Sequence, residues 1–273
     1  MSSEEEEHDT AETVYTNRKP KWWRQLSKKG TKGQRRLIQA MQSHVLTRPA
    51  AYGETLDLAT IFPHQNEVAL EIGFGQGDNL LALAHDRPDV GWIGAEIHQA
   101  GIAKILQKVQ RGVRECSYWN GPVRYPYEQE DWNPDENAWT QPCSHEQPYD
   151  NLRVYTGDGV KLLAYLRADS LDRVVVPFPD PFPKSRDHHW RILQKGTVQQ
   201  IHRILKPGGC FCLATDHDGF FQWSLQIMTG LDGWTRVMDL DRTSWLPVVS
   251  YYEHKGHLEG RTTHLACWTK RTT

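Results

Sequence analysis

Along most of this 273-residue chain, short apolar runs alternate with amphipathic segments, and no other feature restricts the fold so strongly. The runs Val68–Ile72, Gly91–Glu96, Leu152–Gly157, Arg173–Phe178 and Cys210–Thr215 are rich in apolar and β-branched residues. Each reads as a strand buried on both faces. Asp78–Ala84, Gln99–Arg111, Val160–Leu166 and His189–Leu205 carry apolar residues at helical spacing, and Phe220–Thr229 follows as another helix. Parallel strands need a crossover, and a helix supplies it. The chain is therefore expected to be an α/β protein with a mostly parallel, doubly wound sheet and helices on both faces. Leu265–Lys270 is expected to close that sheet as an edge strand.

Two stretches do not fit the alternation. Residues 1–50 form a charged arm, with six acids and no Lys or Arg between residues 4 and 12, then nine Lys or Arg and no acid between residues 18 and 36. Trp22 and Trp23 stand inside the basic run, and Gln34–Val45 predicts a short helix. Residues 112–150 hold five prolines, three tryptophans and eight acids but no Ile, Leu, Met or Phe. Such a stretch makes neither a core strand nor an amphipathic helix, so it reads as a surface insertion in a single domain over residues 51–273. It follows a helix and precedes a strand, which roots it at the amino-end rim of the sheet.

The net charge of −2 argues against nucleic acid only on average, because a partner meets local patches and the basic arm is one. No run of eighteen apolar residues occurs, so no membrane span is expected. The acidic start has the wrong sign for a targeting segment. Five scattered cysteines suit neither a disulfide framework nor, without paired CxxC spacings, a metal site. These features fit an intracellular chain, cytoplasmic or, in a eukaryote, nuclear.

In an open α/β sheet, ligands bind beyond the carboxyl ends of the strands. The first expected strand runs through Glu71 into Gly73-Phe74-Gly75-Gln76-Gly77, and the others end at Glu96, Asp158, Asp180 and Asp216. Asp also caps helix N-termini, which explains any one of these acids more easily than all five. The glycine turn departs from the dinucleotide pattern: its third glycine, Gly77, comes one residue early, Asp78 follows, and Glu71 would repel a pyrophosphate. The same residues suit S-adenosyl-L-methionine, which has no phosphate and carries a sulfonium and an ammonium. Gly73 and Gly75 let the backbone approach it. Glu96, 19 residues past Gly77, is placed to accept from both ribose hydroxyls. Further on, Pro177, Pro179, Pro181 and Pro183 make a stiff loop without four backbone donors, with Asp180 at its apex. Lys184, Arg186 and Arg191 behind it are cations able to meet phosphate.

Together these motifs resemble the tRNA (guanine-N7)-methyltransferase family. The similarity runs through Gly33-Gln34, Glu71-Ile72-Gly73-Phe74-Gly75, Gly94-Ala95-Glu96, Asp158, Phe178-Pro179-Asp180-Pro181, Lys206-Pro207-Gly208-Gly209 and Ala214-Thr215-Asp216. The Phe-Pro-Asp-Pro element is the most specific of these. The resemblance implies a Rossmann-like class I methyltransferase fold and transfer of a methyl group from S-adenosyl-L-methionine to N7 of guanine 46, in the variable loop of tRNA. It implies cofactor contacts from Glu71, Gly73, Gly75, Glu96, Asp158 and Asp180, with Asp180 also the catalytic residue. Lys184, Asp216 and the stretch Ser250-Tyr251-Tyr252-Glu253 would meet the substrate, Ser250 standing where the family has Thr. Phe182 stands where the family usually has Trp or His. Guanine N7 has a lone pair and no proton, so no general base is needed. Alignment and the fixed charge of Asp180 would then supply the acceleration.

Two other readings share these residues. A class I methyltransferase acting on a small molecule or protein uses the same rim and needs no basic arm. A non-catalytic RNA-binding subunit keeps the fold, though not for any evident reason all five acids. The expected partner is tRNA, joined by a WD-repeat subunit if the source is eukaryotic; otherwise a monomer or homodimer is expected.

Overall fold

The computed structural model describes residues 30–49, 53–110, 149–239 and 241–272. The acidic run, most of the basic run and nearly all of the 112–150 stretch lie outside the described residues. Among the described residues, eight strands form one sheet: β1 (Val45–Leu46), β2 (Glu67–Ile72), β3 (Val90–Glu96), β4 (Leu152–Thr156), β5 (Leu171–Pro177), β6 (Leu205–Thr215), β7 (Trp234–Val237) and β8 (His264–Lys270). The helices around it are α1 (Lys32–Ala40), α2 (Leu58–Ile61), α3 (Asp78–Asp86), α4 (Gln99–Gln110), α5 (Gly159–Leu162), α6 (Lys195–Ile204), α7 (Asp218–Thr229) and α8 (Tyr251–Leu258). Strand order is β1-β4-β3-β2-β5-β6-β8-β7. The first six are parallel, and β8 runs antiparallel to both β6 and β7.

Alternation of side chains along each strand sends successive residues to opposite faces, and both faces are covered. Leu70, Ile72, Ile93, Val174, Val176 and Leu213 pack with Leu162, Val198, Ile201 and Phe220 from α5, α6 and α7. On the other face, Ala69, Trp92 and Val154 pack with Leu80, Leu83, Ile102 and Ile105 from α3 and α4. The helix α1 joins this second layer through Leu37, Ile38 and Met41. At about 25 cal/mol per Å² of apolar surface, burial on two faces makes the central strands the most stable part of the molecule.

Three elements differ from expectation. Leu265–Lys270 is not an edge strand: β8 lies between β6 and β7, and β7 forms the edge. The helix expected from His189 begins only at Lys195, because Ser185–Trp190 winds as a 3₁₀ segment and Gln194 Nε2 bonds back to the carbonyls of His188 and Arg191. The first helix starts at Lys32 and stops at Ala40. Thr31 and Gln34 make a reciprocal capping box at its start, which accounts for the Gly33-Gln34 motif by local structure. The next residues, Val45 and Leu46, then pair with Val154 and Tyr155, so the sheet begins inside the segment read as an arm.

At the amino-end rim, Asn151 ties β4 to its neighbours. Its side-chain amide reaches the carbonyls of Ala84, Arg87 and Val90, and its own carbonyl accepts from Trp92 N–H at 2.6 Å. Among the described residues no helix is long and apolar enough to cross a membrane.

Candidate active site

The carboxyl ends of β2, β3, β5 and β6 form one rim, and its floor is the glycine turn. Gly73, Gly75 and Gly77 all have φ between 59° and 81°, the left-handed region that glycine tolerates without strain. A Cβ placed on Gly73 or Gly75 would meet no atom within 4 Å, so open space lies over the turn. Glu96 holds it in shape: one carboxylate oxygen accepts from Gly75 N–H at 2.9 Å, and the other from Ile97 and His98 N–H at 2.7 and 2.9 Å. Each carboxylate oxygen takes about two donors. Glu96 therefore keeps an acceptor position open on the oxygen that bonds Gly75.

Glu71 lies deeper, 1% exposed, with Oε2 accepting from Asn79 Nδ2 at 2.8 Å. The same amide nitrogen is 3.3 Å from the Trp245 carbonyl. Burial raises the Glu71 carboxyl to about 7; the Asn79 bond opposes this, and the charges of Asp78 and Glu96 add to it. Asn79 Oδ1 is buried and has no hydrogen-bond partner.

Asp180 comes in on the loop after β5. Phe178 and Phe182, two residues before and after it, have φ of 47° and 42°. Non-glycine residues in that region store strain of order 1–3 kcal/mol each, which the surroundings must hold. Phe178 N–H bonds to the Ala214 carbonyl at 2.8 Å, tying the loop to β6. Arg191 does the rest. It is 4% exposed and donates from Nε to the Pro181 carbonyl at 2.9 Å and from Nη2 to the Phe182 carbonyl at 3.2 Å. Its guanidinium carbon sits 5.1 and 5.7 Å from the ring centres of Trp223 and Phe220. Arg191 therefore faces the loop's carbonyls and not a phosphate, contrary to the sequence expectation. Partial enclosure raises the Asp180 carboxyl, and the positive field of His98 pulls it back. Tyr252, on α8, has its hydroxyl raised by burial and then by the negative charges of Glu96 and Asp180. Asp180 is thus within electrostatic reach of His98 and of Tyr252, and Tyr252 within that of Glu96.

These features identify a class of protein when set beside known ones. Residues 65–266 match the model of a family described as "Putative methyltransferase". A tRNA (guanine-N(7)-)-methyltransferase of Rhizobium etli is 32% identical over 214 residues, 75% of this chain and 76% of the relative. One of Shewanella frigidimarina is 32% identical over 236 residues, 84% of this chain and 83% of the relative. The chain belongs to the tRNA (guanine-N(7)-)-methyltransferase family. The fold is shared more widely. A solved 16S rRNA methyltransferase, KamB, superposes with a TM-score of 0.50 at 12% identity, over 84% of this chain and 99% of that one. The sheet is accordingly the Rossmann-like one of class I methyltransferases.

Within this family frame, the remaining candidates divide. Asp158 caps α5 through Val160 N–H at 3.0 Å, the capping role weighed for any single strand-end acid. Asp216 accepts from Arg261 Nε at 2.8 Å and touches α8, where a Cβ on Gly256 would come within 2.5 Å of it. Ser250 caps α8. Glu253 is fully buried: Arg242 forks onto both its oxygens at 2.6 and 2.7 Å, and Thr263 Oγ1 donates at 3.0 Å. Tyr251 and Tyr252, in an edge-to-face pair 5.6 Å apart, are the two members of that stretch that open to solvent. Lys184 is exposed beside the Asp180 loop.

The residues of the glycine turn fit S-adenosyl-L-methionine. Open space over Gly73 and Gly75, the buried carboxylate of Glu71, the buried Oδ1 of Asn79 and a remaining acceptor position on Glu96 suit a cationic, hydroxyl-bearing ligand, and the lysines that reach the turn, Lys104 and Lys108, are held on Gln76 and Asp78. Asn79, Arg242 and Trp245 had no signal in the sequence, and Arg191 had one only as a cation for phosphate. Each acts through a partner distant in the chain or through a backbone carbonyl.

Proposed function

We propose that this protein transfers a methyl group from S-adenosyl-L-methionine to N7 of guanine in tRNA, at position 46 of the variable loop. The observation that carries the reading is the strained, Arg191-braced loop that holds Asp180 beside the Glu96–His98 turn and Tyr252, in a chain of this family. Bound there, S-adenosyl-L-methionine supplies a methyl group activated by its sulfonium.

The chain's own residues supply placement. Gly73 and Gly75 form the floor, Glu71 and Asn79 take the ligand's cationic end, and Glu96 and Asp158 stand at its hydroxyl-bearing side. Asp180 faces both cofactor and base. Methylation at N7 makes the purine cationic, and a carboxylate fixed in a partly enclosed hollow favours that charge most as it develops. No side chain has to remove a proton from N7. Tyr251 and Tyr252 offer ring faces and edges to a base, while Lys184 supplies a cation for backbone phosphate. Asp216, Ser250 and Glu253 reach the substrate less directly: their bonds hold α8 in place, and α8 carries Tyr252.

The test is methyl incorporation by the purified chain from labelled S-adenosyl-L-methionine into tRNA lacking modifications, against pools of small molecules and proteins. Incorporation into tRNA alone supports the reading. Incorporation only into the other pools supports a different methyltransferase, and cofactor binding absent by calorimetry supports a non-catalytic subunit.

A further inference from the structure

One face of α4 lies along the glycine turn. Gly101, Lys104, Ile105 and Lys108 recur at spacings of three and four residues, which puts them in a row on the helix. Together they meet the turn from Gly75 to Asp78. A Cβ on Gly101 would fall 2.1 Å from the Gly75 carbonyl oxygen, so a side chain there would hold the helix off. Lys104 Nζ donates to Gln76 Oε1 at 3.2 Å. A Cβ on Gly77 would fall 2.5 Å from Ile105 Cδ1. Lys108 Nζ donates to the Gln76 carbonyl at 3.2 Å and pairs with Asp78, the first residue of α3.

Lys108 is 6% exposed, so its ammonium is not offered to a substrate phosphate. An enclosed ion pair often adds no more stability than well-packed apolar side chains in its place, so stability alone does not account for it. The turn supplies a second reason. Gly75 and Gly77 flank Gln76, and two glycines leave the peptides between them free to take many conformations unless something holds them. Lys108 holds the Gln76 carbonyl.

We propose that Lys108 is a positioning residue for S-adenosyl-L-methionine: by pinning the Gln76 carbonyl, it keeps the glycine turn in the shape that receives the cofactor. Lys108 acts here on the cofactor reading of the site given above and depends on it. A floor shaped before the ligand arrives spares binding the cost of ordering it. Such a gain is shared by the bound ground state and the transition state, so it shows in affinity and not in the rate at saturation.

The experiment compares the full parent chain with Lys108→Met, Asp78→Asn and the double variant, each under conditions where its melting curve shows it folded. Lys108→Met leaves the Asp78 carboxylate, 16% exposed, without that counter-charge, so the urea midpoint should fall, and adding Asp78→Asn should restore most of it. Affinity for S-adenosyl-L-methionine by calorimetry should not follow stability. It should be about tenfold weaker in Lys108→Met and in the double variant, the scale of one hydrogen bond from a charged donor, and change by less than about threefold in Asp78→Asn. In methyl transfer to tRNA, KM for the cofactor should rise about tenfold, with kcat and the KM for tRNA within about twofold of the parent. Should Lys108→Met fail to fold, the double variant carries the same test. Affinity that returns with stability in the double variant overturns the proposal, as does an equal loss in Asp78→Asn alone. A parent chain that binds no cofactor overturns the reading of the site, and the proposal with it.

Discussion

Replacing Arg191 with Met keeps most of the buried stem and removes both hydrogen bonds to the Asp180 loop. Those bonds run from a charged donor to the carbonyls of Pro181 and Phe182, at 2.9 and 3.2 Å. Hydrogen bonds to charged groups contribute about 1.5–3 kcal/mol each, and the Met side chain recovers part of the packing against Phe220 and Trp223. A net loss of about 3 kcal/mol follows. For a domain of this size, 1 kcal/mol corresponds to about 2–4 °C in Tm, so melting should fall by roughly 6–12 °C. The rate should suffer more. The strain at Phe178 and Phe182 is of the same order as the brace that contains it, so the loop relaxes and carries Asp180 out of register. Displacement of a catalytic group by about 1 Å costs on the order of 10²-fold. Single-turnover methyl transfer to tRNA, with cofactor affinity by calorimetry, reads this directly: about a hundredfold slower, with affinity changed by roughly threefold or less. Arg191→Lys should regain part of the melting temperature but little of the rate, because an ammonium cannot reproduce the fork. An Arg191→Met protein that melts within about 2 °C of the parent and transfers methyl groups at the parent rate refutes the reasoning.

Asp180→Asn keeps the shape of the side chain and removes its charge; a loss of about 10²-fold in single-turnover rate, with cofactor binding retained, is expected. Glu71 has its carboxyl raised from 4.5 to about 7, so the folded chain holds a proton that the unfolded chain releases between those values. Stability without cofactor should therefore decline as pH rises from about 4.5 to about 7, by at most about 3 kcal/mol. Urea unfolding of Glu71→Gln should show that part of the slope abolished, and an unchanged slope contradicts it. Because the ligand is cationic, cofactor affinity should increase with pH across the same range in the parent chain and not in the variant. Glu253→Gln leaves Arg242 without its buried counter-charge and should destabilise by about 3–5 kcal/mol. Pairing it with Arg242→Met should restore much of that loss, as urea midpoints of the three variants would show.

The central sheet was readable because its strands are buried on both faces, as in Val90–Glu96, where all seven residues are buried. The pairing partner of β8 was not, since apolar content reports burial and not neighbours. β7, with Thr235 and Arg236 exposed, and the two-residue β1 carry too little pattern to be seen. The helix break before Lys195 depends on Arg191 and Gln194 bonding to loop carbonyls, which no spacing reveals. Along the rim, the position of each acid at a strand end was legible, because topology alone puts it there. What each acid does was not. Asp158 and Glu96 are engaged by backbone amides, Asp216 by Arg261, and Glu253 by Arg242. These partners arrive through loops and helices outside the strand pattern.

The most direct measurement of the central claim is chemical mapping of the methylated nucleotide. Purified chain is incubated with unmodified tRNA and S-adenosyl-L-methionine, and the RNA is then treated with borohydride and aniline, which cleave at 7-methylguanosine. The account predicts scission at guanine 46, abolished in Asp180→Asn. Intact RNA from the parent chain, or methyl groups located on any atom other than guanine N7, would contradict it.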